Sequence, residues 1–595
     1  MRSRLGASVL LLALLGLVAV WAGGPAAARV MKRAGEPAVS VFPIAGSRVA
    51  TPRTQIAFRG VPVSGFGQIT VTGSLSGVHA GTIASDSDGD GGSFLPAKPF
   101  TPGETVTVNT SLNVIGGVNG TFQFTVATPS GGIPAIHWPP AGRVAGDVYE
   151  YRSRPDLVPP AVKLTRWSSK DAPGDIFLAP QFGPVQDGPE IIGPGGGIVW
   201  FDPLSGDSSA ADFRVQQYRG QPVLTWWQGY VTAGAGVGVD EIYNSSYQPV
   251  AVVHAANGLS ADEHEFQLTP ENTALITAYY PVYWDASSLR GSKREIVFDS
   301  VVQEIDIPTG LVLFQWDSLD HIPISASYEP LPHGGRSPFD YFHVNSAQQD
   351  GDGNLLISGR NTWAAYKVNI QTGAVIWKLG GKRSSFRLAP GVYWAFQHDV
   401  EAQASNDLVV TLFDDAAGPP IEAKESRSIK LTLDLRNMTA RQVTQDLHTP
   451  PLLTNFEGND QQLPNGDAFV GWGQQPYFSE YSHTGQLIFD GHFVDANASY
   501  RAYRFPWSGT PTTPPAIAYS GGKTPTVYAS WNGATHVSRW RVLGGPAPGQ
   551  LRGLVSARRV WFETWIPLHS PQRYLAVQAL DSAGHVLGTS PTIRG

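Results

Sequence analysis

The sequence predicts an all-β protein: a six-bladed β-propeller flanked by an N-terminal and a C-terminal β-sandwich module. Three observations carry that expectation. Short segments alternate apolar and polar residues with period two, the pattern of half-buried strands. The chain holds 66 Gly and 47 Pro in 595 residues, which supplies many turns. Six related strand–turn–strand passages recur through the middle, each interval long enough for a four-stranded sheet.

At the N-terminus, Arg2 and Arg4 precede an apolar run from Ala7 to Ala22, followed by Ala26, Ala27 and Ala28. A basic start, a short apolar stretch and a small-residue exit predict a secretory signal over residues 1–28. The run is short for a membrane span, and no second one follows. The expected location is secreted or cell-envelope associated, with no integral membrane span after cleavage. The chain has no Cys, so an exported protein of this length must rely on packing, and thiol nucleophiles and thiolate metal sites are excluded. A net charge of −7 without a long basic stripe gives no electrostatic reason for a nucleic-acid partner.

Residues 38–134 read as an immunoglobulin-like β-sandwich, with strand text at Gln68–Gly73, Thr105–Asn109 and Gly120–Val126. Within it, Asp86, Asp88 and Asp90 alternate as at the start of a calcium loop. The Glu at the twelfth position and the flanking helices of that motif are missing, which favours an exposed loop. A Pro-, Gly- and Arg-rich stretch over 133–160 reads as linker or first wrap.

The propeller is expected over 140–503. Its turn centres fall near residues 206, 247, 310, 373, 438 and 485, at gaps of 41, 63, 63, 65 and 47. The clearest units are Val302–Trp316 and Tyr366–Trp377, each with a Thr-Gly turn between strands. Residues 505–595 return to sandwich text, read as a fibronectin- or immunoglobulin-like module. Strands are expected at Thr526–Trp531, Val537–Val542 and Tyr574–Leu580, with a strong turn signal at Asn532-Gly533.

Three histidines hold equivalent places in the repeat. His264 stands eight residues before Asn272, His343 eleven before Asn354, and His398 eight before Asn406. In the following unit Asn455-Phe-Glu-Gly-Asn459, with Glu457, takes that place. The first strand of each propeller blade lines the axis, so these positions should converge on one mouth of the channel. Arg360, closing Leu355-Leu-Ile-Ser-Gly-Arg, adds a fixed fork of donors suited to an anion with several oxygens. Imidazoles can donate, accept, transfer protons or attack. From the residues alone, three histidines could also hold zinc, although Arg360 is an awkward neighbour for a cation. No Gly-rich nucleotide loop and no Gly-x-Ser-x-Gly elbow occurs.

The phrases Asp262-Glu-His-Glu-Phe266, Asp340-Tyr-Phe-His-Val-Asn-Ser346, Ile357-Ser-Gly-Arg360, Val375–Gly381 and Phe396-Gln-His-Asp399 together resemble the arylsulfotransferase family, particularly its actinobacterial and fungal branch. The resemblance spans roughly residues 140–500. It implies a six-bladed propeller that moves a sulfuryl group from a phenolic sulfate donor to a phenol acceptor, with no nucleotide donor and no cofactor or metal. It further implies His398 as the transiently sulfated nucleophile, with His343, Asn345 and Arg360 holding sulfate oxygens. His264 is implied as a further sulfate-binding or proton-handling group. Glu457 is expected at the substrate. Asp399, beside His398, is a candidate to orient an imidazole. The competing expectation is a secreted, non-catalytic propeller that binds a ligand or a cell-surface partner.

Overall fold

The computed structural model describes residues 38–131, 142–206, 208–332, 337–403 and 406–595. The expected secretory signal, residues 1–28, lies outside them, as do residues 132–141 at the first expected domain boundary. The described chain is almost entirely β-strand. Its α-helix, Ser318–His321, is one turn long, and no helix among the described residues is long and apolar enough to cross a membrane.

Two four-stranded antiparallel sheets fill the N-terminal part. One runs Ser40–Phe42, Ile56–Arg59, Gly91–Pro96, Gly81–Ser85; the other runs Gly77–His79, Thr70–Gly73, Thr105–Asn109, Thr121–Thr125. Alternation is the cause: in Thr105–Asn109 the two valines are buried and the threonines face outward. Val41, Phe58, Val106 and Phe122 meet in one core between the sheets. In the loop expected to be exposed, Asp88 is exposed but Asp86 is buried. Arg59 Nη1 sits 2.6 Å from Asp86 and Nη2 2.6 Å from Asp88, so a guanidinium answers these carboxylates. Ser87 then donates to Asp306 and ties the loop to the middle of the chain.

Six further sheets follow, numbered one to six in chain order. Sheets two to six are meanders whose inner strands are Ser209–Tyr218, Phe266–Leu268, Val344–Gln349, His398–Gln403 and Asn459–Gln462. Strands such as Leu355–Gly359 and Leu311–Asp317 are buried along their whole length, because a neighbouring sheet covers each face. The turns at 247, 310, 373, 438 and 485 each join the third and fourth main strands of a sheet. The turn at 206 does not. It connects sheet one, ending at Phe201, to sheet two, starting at Ser209. Its Ser-Gly pair supplied turn chemistry that local text could not tell from a hairpin.

Sheet one is assembled from distant segments. Asp175–Gln181, Glu190–Ile192 and Ile198–Phe201 are completed by Ala498–Phe505, with Phe177 opposite Tyr503. Sheet six gains Val162–Arg166 as its outer strand beside Leu487–Phe493. The beginning and end of this region are thus stitched together twice.

The C-terminal residues form a sheet of Ala516–Ser520, Thr526–Ser530 and Glu563–Pro567. A second sheet is built on Arg539–Gly545 and Tyr574–Leu580. Val527, Trp540, Ile566 and Val577 share the core between them. The Asn532-Gly533 turn crosses from one sheet to the other. Asn532 is held on the backbone of Phe201, accepting from its N–H at 3.1 Å and donating to its carbonyl at 2.9 Å.

Candidate functional site

The inner strands of sheets three to six begin at one end of the region, and each predicted polar residue sits at or just before such a start. His264 is two residues before Phe266–Leu268, His343 abuts Val344–Gln349, His398 opens His398–Gln403, and Glu457 is two residues before Asn459–Gln462. Arg360 follows directly on Leu355–Gly359. His343, Asp399 and Glu457 adopt left-handed backbone, φ 56°, 50° and 71°. Each such residue costs on the order of 1–3 kcal/mol unless its surroundings fix it, and such strain gathers where side chains must be aimed.

His264, His343, Arg360, His398 and Glu457 all line one cavity of about 540 Å³. The rings of His264 and His343 stand 4.7 Å apart and nearly perpendicular. Tyr500 lies between the histidines, 5.6 Å from His264 and 6.4 Å from His398. Phe182, Val185, Leu204, Tyr230 and Phe456 give the cavity an apolar side.

Every one of the three imidazoles turns Nδ1 to a carboxylate. His264 faces Asp262 at 2.6 Å, His398 faces Asp415 at 2.7 Å, and His343 contacts Asp340. At His398 the tautomer follows from the second nitrogen. Nε2 accepts the backbone N–H of Glu457 at 3.2 Å, so the proton lies on Nδ1, toward Asp415. Burial, reinforced by the positive charge of Arg360, holds His398 well below the usual imidazole range. Burial also lowers His343, against the opposing pull of Asp340. Both rings are therefore neutral near pH 7. Burial pushes Asp415 up, with Arg360 opposing, and pushes the Glu457 carboxyl to about 8. Glu263, also at the cavity, is driven well up by burial and by Asp262.

Arg360 spans the cavity rim. Nη1 donates to Asn361 and Nη2 to the carbonyl of Asn455, each at 2.8 Å, while its guanidinium lies 4.8 Å over Phe396. Its Nε is buried without a partner. Asn345 is brought near the site but not to the cavity lining. Fully buried, it donates to the carbonyl of Gln397 at 2.8 Å, and its Oδ1 has no partner.

Asp399 does not orient His398, which is a correction. Its left-handed backbone turns the side chain the other way, 3.4 Å from Arg501 Nε and 3.0 Å from the N–H of Asp460. Asp415, seventeen residues from His398, takes that position across the antiparallel pair His398–Gln403 and Asn406–Asp414. Arg501 was also invisible to pattern reading. Fully buried, it reaches Asp212 at 3.1 Å, Glu265 at 3.2 Å, and the carbonyls of His264 and Asn345 at 3.1 Å. One side chain from the closing strand of sheet one thus fastens the bases of sheets two to five.

Among the described residues, the grouping whose ligand atoms lie close enough to share a metal is Asp262, Glu263 and His264, within 4.8 Å. It does not unite the three histidines, and Asp262 is already engaged by His264, Thr277 and the N–H of Gly236. Three carboxylate-oriented imidazoles, those of His343 and His398 neutral, beside one arginine suit a small anionic group.

Residues 214–494 match the family model described as Arylsulfotransferase (ASST). The match supports a sulfotransferase-type activity for that segment. Among the curated proteins none matches this chain. Similar solved structures include a protein of unknown function from Bacteroides caccae, with TM-score 0.34, 12% identity, and coverage of 56% of this chain and 98% of that one. The periplasmic gluconolactonase PpgL of Pseudomonas aeruginosa is similar with TM-score 0.30 and 14% identity, covering 67% of this chain and 99% of that one.

Proposed function

We propose that this protein is an exported arylsulfotransferase of the actinobacterial and fungal branch. In this reading sheets one to six form a six-bladed propeller over 140–503, flanked by sandwich modules at 38–134 and 505–595. The enzyme moves a sulfuryl group from a phenolic sulfate to a phenol through a sulfated His398, without a nucleotide donor. The observation that carries the reading is the Nδ1–Asp415 contact of His398, which leaves Nε2 without a proton on a residue that lines the same cavity as Arg360, His343 and His264.

Nε2 attacks sulfur as the donor's phenolic oxygen departs, and the acceptor's oxygen then attacks sulfur of the sulfated imidazole. Two displacements replace one difficult transfer. Arg360 stabilises the equatorial oxygens as charge develops on them, its Nε–H and the second N–H of each terminal nitrogen being left over from its two hydrogen bonds. His343 and His264 complete the anion pocket, with Asn345 behind them in the wall. The phenyl rings rest against the apolar side of the cavity.

A propeller that binds a ligand without turnover is the second reading. It is favoured by the Glu457 N–H, which occupies the His398 lone pair. One experiment separates the two. Purified protein is given a chromogenic phenyl sulfate with and without phenol, beside His398→Ala. Acceptor-dependent phenol release, absent from the variant, and one sulfuryl adduct on His398 by intact mass are expected. Binding of the donor with no release by the wild type would establish the second reading instead.

A further inference from the structure

A sulfuryl donor departs as a phenolate, while the acceptor arrives as a phenol. One proton must be delivered in the first half of the reaction and collected in the second. Two of the histidines are poorly placed for that work. His398 becomes the N–S bond, with its own proton held on Nδ1 toward Asp415, and burial keeps His343 neutral.

Glu457 is placed differently. Its backbone N–H touches His398 Nε2 at 3.2 Å, its side chain borders the same cavity, and its Oε2 is buried with no hydrogen-bond partner. On a left-handed backbone, φ 71°, this one residue brings a backbone N–H to the nucleophile and an unpartnered carboxyl oxygen to a residue of the cavity lining. Resting on the sulfuryl-transfer reading, we propose that the Glu457 carboxyl gives its proton to the departing phenolic oxygen and then takes the proton of the acceptor phenol. In the first half the Glu457 N–H releases the Nε2 lone pair, which forms the N–S bond as the S–O(aryl) bond breaks, and the Glu457 carboxyl proton goes to the aryl oxygen. In the second half the acceptor's proton goes to the Glu457 carboxylate, its oxygen forms the new S–O bond, and the N–S pair returns to Nε2. Nothing else is consumed. Burial pushes this carboxyl to about 8, close enough to phenols for efficient exchange in both directions. Glu263 also lines the cavity with a lone Oε2, but only Glu457 touches the nucleophile.

The test is a series of ring-substituted phenyl sulfates, from unsubstituted phenol to strongly electron-withdrawing nitrophenols as leaving groups. Glu457→Gln should lose about 100-fold in kcat/KM on phenyl sulfate, within the usual range for general acids. Its loss on the nitrophenyl donors should be several-fold smaller, so that dependence on the leaving group steepens. Glu263→Gln should move all donors evenly. An equal loss across the series in Glu457→Gln, with thermal unfolding unchanged, would show a merely structural role and overturn the assignment. Steepening in Glu263→Gln alone would transfer the role to Glu263. Absence of turnover by the wild type on every donor would be the failure of the sulfuryl-transfer reading itself.

Discussion

In the proposed transfer, His398 owes its reactivity to Asp415 more than to its own burial. Burial alone would leave a neutral ring free to choose either tautomer; the carboxylate 2.7 Å from Nδ1 selects the one whose Nε2 can attack. Asp415→Asn is expected to keep the cavity and donor KM but to lower kcat by about 10⁴-fold, the scale seen when an orienting carboxylate becomes an amide. Rapid-quench trapping of sulfated His398 would locate the loss in the first half-reaction. The same neutrality has a cost in stability. His398 is held well below its unfolded value near 6.5, so the unfolded chain takes a proton that the folded one refuses. This contribution is complete above about pH 6.5 and is lost as pH falls below it. Between pH 6 and 5, His398→Asn should flatten the fall in unfolding free energy, read from urea melts. At this scale the histidines were legible because each sits within two residues of the start of its own inner strand. Asp415 was not, because a hairpin brings it back from seventeen residues away. Asp399 was the nearer carboxylate in sequence and the wrong one, turned aside by a backbone conformation that residue types do not announce.

Among the elements, Ala498–Phe505 carries the most. It pairs with Asp175–Gln181, lays Tyr500 beside two of the imidazoles, and sends Arg501 to Asp212, Glu265 and Asp399. Taking a buried cation from three carboxylates leaves charge that only Arg214 can still answer, at Asp212 and Glu265. Arg501→Met should therefore cost about 3–5 kcal/mol, the range for breaking a buried ion pair from one side. A lower denaturant midpoint at unchanged m would show it, whereas an unmoved midpoint would mean that the hub contributes no stability. The turns and alternating strands of sheets three to six were readable locally, since each hairpin closes within a few residues. Sheet one was not, because its inner strand comes from about 320 residues away and nothing in Ser499–Tyr503 names its partner.

Across the whole molecule, the terminal parts are fastened to the six sheets by a few buried polar contacts. Residues Pro37–Gly595 form one unit. At the N-terminal side Phe42 meets Phe314 at 4.9 Å, and Gln55 donates to the carbonyl of Val312 at 2.9 Å. At the C-terminal side Ser153 donates from N–H and hydroxyl to Glu563, each at 2.6 Å, Tyr247 donates to the Gly533 carbonyl at 2.8 Å, and Asn532 pairs both ways with Phe201. None of these contacts involves a residue lining the cavity in its catalytic role, so docking and chemistry are separable. The modules themselves were legible from alternation, but their docking was not, since Asn532 reads locally as an ordinary turn residue. With both Asn532→Ala and Glu563→Ala, the C-terminal sheets keep their own core around Trp540 and Val577 but lose two polar anchors, on Phe201 of sheet one and on Ser153, and keep the Tyr247 bond to Gly533. Calorimetry should then resolve a second, lower transition where the parent protein shows one, and protease should cut the exposed residues 512–514 at temperatures between the two. Turnover at 25 °C should persist below the lower transition. A single transition at the parental temperature would mean that the apolar contact between Tyr151 and Phe562, rings 4.4 Å apart, holds the C-terminal sheets without help from either side chain.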